Sequence, residues 1–136
     1  MENHRRGSNL VVLGGDFNLV LNLLEEEETY SQILDFGFID TYSFSHGCYS
    51  CCSEEEGFLG CTYAGAGNPY SRVYSSMQKP QRIDYIFVKG IENDVGLLIF
   101  DATVVFDFEP WVSDHSDVLI MIRPPGNDPS FLGTVC

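Results

Sequence analysis

Apolar residues in this chain come mostly in short unbroken runs, with helical spacing in one place only. Leu10-Val11-Val12-Leu13 is followed by Gly14-Gly15-Asp16-Phe17-Asn18. The run predicts a buried strand over 9–15, broken by two glycines, with a carboxylate and an amide just past its end. Arg82-Ile83-Asp84-Tyr85-Ile86-Phe87-Val88 predicts a second strand over 82–88. Leu97 to Phe106, rich in Val, Ile and Phe, predicts a third. Residues 117–123 predict a fourth, stopped by Pro124-Pro125-Gly126. In the second strand Ile83, Tyr85 and Phe87 face one way, and Ile86 and Val88 the other. In the fourth, Val118, Ile120 and Ile122 oppose Leu119 and Met121. Both faces are apolar, so the sheet should be covered on both sides.

Helical spacing is clear only over Glu25–Phe36. Tyr30, Ile33 and Leu34 share a face, the acidic run suits a helix N-terminus, and Gly37 reads as the stop. Phe38-Ile39-Asp40 reads as a brief extended piece. Residues 43–80 read as one long loop, within which Gly60-Cys61-Thr62-Tyr63 and Asn68-Pro69-Tyr70 stand out. Residues 1–8 read as a disordered start, and 124–136 as a loosely structured tail. One helix cannot cover two apolar faces. The pattern therefore predicts a missing layer, supplied by a partner chain, a homodimer or a larger fold.

At 136 residues, one domain is expected, and 44% hydrophobic content with 13% aromatics excludes general disorder. Net charge is −13, with only seven Lys and Arg. Such a chain carries no strong nucleic-acid signal, because phosphate backbones are held by clustered cations. It can still act on phosphates if a divalent metal supplies the positive charge. Glu25-Glu26-Glu27-Glu28 and Glu54-Glu55-Glu56 read as solvated surface.

Five cysteines are present, four of them between Cys48 and Cys61. With no signal-like start and no run long enough for a membrane span, free thiols in a reducing, cytoplasmic setting are expected, with association to a membrane surface left open. A zinc site from Cys48, Cys51, Cys61 and His46 lacks a second well-formed pair and is the minor reading.

The candidate chemistry lies at strand ends. Asp16 and Asn18 follow the first strand, Asp84 lies in the second, and Asp114-His115 precede the fourth. Alone, each is more often a turn, cap or surface group. Together at one sheet edge they suit metal-assisted phosphoester hydrolysis. Carboxylates hold a hard cation, a histidine takes a proton from water, and a second carboxylate orients the histidine.

Gly14-Gly15-Asp16-Phe17-Asn18, Arg82-Ile83-Asp84-Tyr85-Ile86-Phe87 and Ser113-Asp114-His115 resemble the last three signature motifs of the endonuclease/exonuclease/phosphatase superfamily. That superfamily includes deoxyribonuclease I, abasic-site endonucleases, inositol-polyphosphate 5-phosphatases and neutral sphingomyelinases. Gly60-Cys61-Thr62-Tyr63 with Asn68-Pro69-Tyr70 is most similar to the sphingomyelinase branch. The resemblance implies an α/β fold over 9–123. It corresponds to the C-terminal half of a four-layer α/β sandwich of the deoxyribonuclease I-like type, with the N-terminal half absent.

The resemblance also implies roles. Asp16 contacts the attacking water or the leaving group. Asn18 binds a phosphate oxygen of the substrate. Asp84 orients His115, the general base. Asp114 lies at the metal, Mg²⁺ or another divalent cation. Arg82 reads as an ion-pair partner of a local acid. The implied activity is hydrolysis of a phospholipid or other phosphodiester, sphingomyelin to ceramide and phosphocholine, impaired if half the fold is missing. The alternatives are a nuclease or inositol-polyphosphate phosphatase of the same superfamily, and a catalytically inactive partner-binding fragment.

Overall fold

The structure, a computed structural model, describes residues 10–21, 23–55, 59–63, 68–70, 79–90, 99–106, 109–110, 113–122 and 133–135. In chain order the elements are β1 (Leu10–Asp16), α1 (Leu24–Asp35), β2 (Ile39–Asp40), α2 (Thr41–His46), β3 (Asp84–Gly90), β4 (Ile99–Val105), β5 (Asp117–Ile122) and β6 (Gly133–Val135). They form two three-stranded antiparallel sheets, ordered β1-β3-β2 and β4-β5-β6. The fold is mixed α/β. No described helix is long and apolar enough to cross a membrane.

β3 is the spine of the first sheet, and its two faces feed two separate cores. Tyr85 and Phe87 pack with Leu19, Leu21 and Tyr30, where α1 lies, and Phe17, Ile33, Leu34 and Phe38 close around them. Val88, on the other face, packs with Tyr42, Cys51, Ala102 and Ile120, joining β3 to α2, β4 and β5. The alternation read from the sequence is thus realised, with apolar cover on both faces of β3. β1, expected to be buried, is not: it is an edge strand, and Leu10, Val11, Val12 and Leu13 are 37–46% exposed.

α1 carries Glu25, Glu26 and Glu27 in its first turn, where the helix dipole favours negative charge. Glu26 also reaches back to accept from the Val20 N–H at 3.1 Å. At the other end Gly37 adopts φ 85° and donates to the Leu34 carbonyl at 2.8 Å.

Asp40 ties the elements together. Its Oδ1 caps α2, accepting from the Tyr42 and Ser43 N–H groups at 3.1 and 3.2 Å. Its Oδ2 accepts from the Tyr30 hydroxyl at 2.8 Å. Arg82 grips both oxygens, Nη1 to Oδ1 at 3.1 Å and Nη2 to Oδ2 at 2.7 Å. Both side chains are only 2% exposed. The Arg82 guanidinium also donates to the Ser50 and Tyr49 carbonyls and lies 4.5 Å from the centre of the Tyr85 ring. Burial, together with the negative charge of Asp40, pushes the Tyr30 hydroxyl pKa up, so it stays a donor.

Three further expectations are corrected. The long loop expected over 43–80 begins with part of a helix, because Asp40 caps α2 and Gly47, at φ 65°, ends it. Six residues are too few for a helical period to show in the sequence. The tail contains β6, which pairs with β5 across Met121↔Thr134. A three-residue strand stabilised by pairing has no signature of its own. The four clustered cysteines are not free thiols: Cys48 is bonded to Cys51 and Cys52 to Cys61, across Cα separations of 5.2 and 4.9 Å, while Cys136 lies outside the described residues. Linear spacing does not reveal such approaches, which depend on how the loop folds back. The disordered start expected at 1–8 lies outside the described residues.

Replacing Arg82 with Met should cost about 3–5 kcal/mol in urea unfolding, because it strands a buried carboxylate without its partner. A loss below about 1 kcal/mol would show that the pair is not what holds these elements together.

Candidate active site

The ladder between β1 and β3 sets the first two site residues opposite each other. Its last register pair is Asp16↔Asp84. Gly15, just before, adopts φ 151°, a backbone conformation that side-chain-bearing residues rarely take. The strand exit therefore depends on glycine at this position. Beyond it, the Asn18 N–H donates to Asp16 Oδ1 at 2.9 Å, and Asn18 itself sits at φ 52°. This Asx turn fixes both residues at the sheet edge.

His115 arrives from the second sheet, just ahead of β5. Its Nδ1 lies 2.9 Å from Asp84 Oδ2. A carboxylate only accepts, so Nδ1 carries the proton and Nε2 is left as the free ring nitrogen. The His115 N–H donates to Ser113 Oγ at 3.1 Å, and the Tyr63 ring lies 5.0 Å from the imidazole, centre to centre. Asp16, Asp84 and His115 each offer an atom within 4.8 Å of the others. Asp114 stands next to His115 in the chain, outside that group of three, and its Oδ1 accepts from Ser113 Oγ at 3.4 Å.

The electrostatics follow from the acids. Partial burial pulls the His115 pKa down. The hydrogen bond that His115 donates to Asp84 and the charges of Asp84, Asp114 and Asp16 outweigh it, so the net direction is up. Beside the site opens a cleft of about 460 Å³, lined by Asp84, Val12, Tyr85, Val105, Phe106 and Val118 among others.

A model of the Endonuclease/Exonuclease/phosphatase family matches residues 1–115. The chain belongs to this family. The family covers metal-dependent phosphodiesterase, phosphatase and nuclease activities, and its enzymes typically use divalent ions. No curated protein matches the chain. The match ends at His115, so it spans β1, α1, β2, α2, β3 and β4 and all the residues gathered at the site.

The residues present fit a hard divalent cation. Two carboxylates converge within 4.8 Å of a histidine, and Mg²⁺ takes one or two carboxylates while keeping several waters. Of the residues expected from sequence, the structure brings together Asp16, Asp84 and His115, with Asn18 tied to Asp16 two residues on and Asp114 next to His115 in the chain. Sequence reading gave no site role to Thr62 or Asn68. Both prove to bond the backbone around Asp84 and His115. Their types carry no such signal; only their place in the Gly60–Tyr63 and Asn68–Tyr70 stretches marks them.

In the metal-free chain, NMR titration of His115 should give a pKa above the ordinary value of about 6.5. Asp84→Asn should bring it down, since the hydrogen bond to a charged partner is lost. The folded-state pKa is raised, so the stability this pair contributes is full below the unfolded pKa. It is lost as pH rises through the folded value. An unchanged titration in Asp84→Asn would show that Asp84 does not control the imidazole.

Proposed function

We propose that the chain carries a metal-dependent phosphodiester-hydrolysing site, sphingomyelinase-like in substrate. The observation that carries the chemistry is the 2.9 Å contact between His115 Nδ1 and Asp84, with Asp16 opposite Asp84 in register. His115 Nε2 accepts the proton of a water that attacks phosphorus, while Asp84 holds the ring and favours the imidazolium that results. Asp16 contacts that water or the leaving oxygen, and Asn18 donates to a phosphoryl oxygen. Asp114, with the acids gathered at Asp16 and Asp84, would hold the cation. When bound, the cation supplies positive charge against the phosphoryl oxygens.

Net charge favours the lipid substrate. At −13, with seven Lys and Arg, the chain lacks the cations that a polyanionic strand demands. A zwitterionic head group carries its own positive charge and makes no such demand. The resemblance of Gly60–Tyr63 and Asn68–Tyr70 to the sphingomyelinase branch points the same way. We further infer that the two sheets belong to a larger four-layer sandwich. The apolar, half-exposed β1 is the strand that further structure would cover. A homodimer or partner chain at that face is the competing reading, and with it a catalytically inactive binding module.

Turnover decides between these. The chain with Mg²⁺ is expected to release phosphocholine from labelled sphingomyelin in detergent micelles and to leave plasmid DNA and inositol polyphosphates untouched. Nicked DNA with intact sphingomyelin would transfer the assignment to a nuclease. No turnover of any of the three, with a stable dimer by light scattering, would favour the binding module. His115→Ala should lower any turnover by about 10²–10⁴-fold while the chain stays folded by circular dichroism. Full activity in that variant would remove His115 as the base.

A further inference from the structure

We propose that Thr62 is a positioning residue that holds Asp84 and His115 in register with each other. Asp84 opens β3 of the first sheet, and His115 lies two residues ahead of β5 of the second. Among the described residues, no strand of the β1-β3-β2 sheet pairs with one of the β4-β5-β6 sheet. Their 2.9 Å contact therefore depends on how the two sheets are fixed locally.

Thr62 lies between them and is 1% exposed. Its Oγ1 accepts from the N–H groups of both Ile83 and Asp84, each at 3.1 Å. Its carbonyl accepts from the Ser116 N–H at 2.7 Å, one residue past His115. Its own N–H donates to the Gln81 carbonyl at 2.9 Å. One residue thus bonds the backbone that carries Asp84 and the backbone that carries His115. Tyr63 extends the contact, with backbone bridges to both Gln81 and His115. Asn68, also 1% exposed, adds a second tie: its Nδ2 donates to the Ser113 carbonyl at 2.8 Å.

The strap is itself anchored where it enters. Cys61 is bonded to Cys52. Gly60 adopts φ 80°, and a Cβ there would overlap the Cys51 carbonyl and come within 2.6 Å of the Tyr42 ring. Thr62 is therefore tied to the protein interior on one side and to both halves of the pair on the other. Its hydroxyl has two acceptor lone pairs and uses them on two amides, the Ile83 amide buried and the Asp84 amide partly so. Valine has the same shape and neither lone pair. Serine keeps both.

The consequence for turnover rests on the hydrolytic reading of the site, but the geometry can be tested apart from it. In the unmodified chain, the His115 Nδ1 proton should appear as a downfield NMR resonance protected from exchange by Asp84. Thr62→Val should broaden or abolish it, and Thr62→Ser should keep it. Thr41→Val is the control. Thr41 is also fully buried and donates to the β3 carbonyl of Ile86 at 2.8 Å, so the same change there should leave the resonance in place. In turnover, Thr62→Val should lower kcat about 10–100-fold with KM within about twofold, and serine should restore it.

Persistence of the resonance in Thr62→Val, or its equal loss in Thr41→Val, overturns the proposal. Should the valine variant not fold, amide exchange in the unmodified chain serves instead. The Ile83, Asp84 and Ser116 amides should open together, and a Ser116 amide exchanging far faster than Asp84 overturns the clip. If the resonance behaves as expected while the unmodified chain turns over nothing, the positioning role stands and the hydrolytic reading falls.

Discussion

Two opposite charges, both nearly removed from water, join the end of β2 to the residue that leads into the strand carrying Asp84. Asp40 and Arg82 meet through both carboxylate oxygens, and each has further partners. Desolvating such a pair is costly, and the cost is offset only when every donor and acceptor is used. Here both helices and the loop that follows them are drafted in to use them. α1 contributes Tyr30, α2 contributes two amides, and the 49–50 loop contributes two carbonyls. Arg82 is thereby fixed, and the chain leaves it straight into β3 with Asp84 as the first strand residue. The position of that carboxylate follows from a salt bridge on the inner side of the same chain segment.

From there the site is a matter of register. Antiparallel pairing sets Asp16 against Asp84, and one residue of slip would send the side chain to the other face. His115 joins from a sheet with its own hydrogen-bond ladder, so its approach to Asp84 needs a separate device. The strap at Gly60–Tyr63 supplies backbone bonds in both directions. The acids around the imidazole then keep it basic, in line with its proposed role of taking a proton from water. They also concentrate negative charge where a divalent ion would bind.

Local elements of this fold were legible in the amino-acid sequence, because they are written in periodicity. β1, α1, β3, β4 and β5 follow apolar runs or a helical stripe, and Gly37 ends α1 as a glycine stop should. The grouping of Asp16, Asp84 and His115 was legible through their shared placement at strand ends and their resemblance to family motifs. What was not legible is what long-range pairing decides. α2 exists because a buried aspartate caps it, and β6 because β5 offers it an edge. The two disulfides depend on a loop folding back. Thr62 and Asn68 look like ordinary loop residues until the fold brings Ile83, Asp84 and Ser113 against them.

In the proposed hydrolysis Asp84 and His115 act as one unit. A double-mutant cycle on the Mg²⁺-dependent hydrolysis of bis(p-nitrophenyl) phosphate measures this most directly. If they are one unit, Asp84→Ala, His115→Ala and the double variant lose nearly the same factor in kcat, because the second change removes a partner already useless. If the losses multiply, the two residues act independently and the pair is not the working unit of the site.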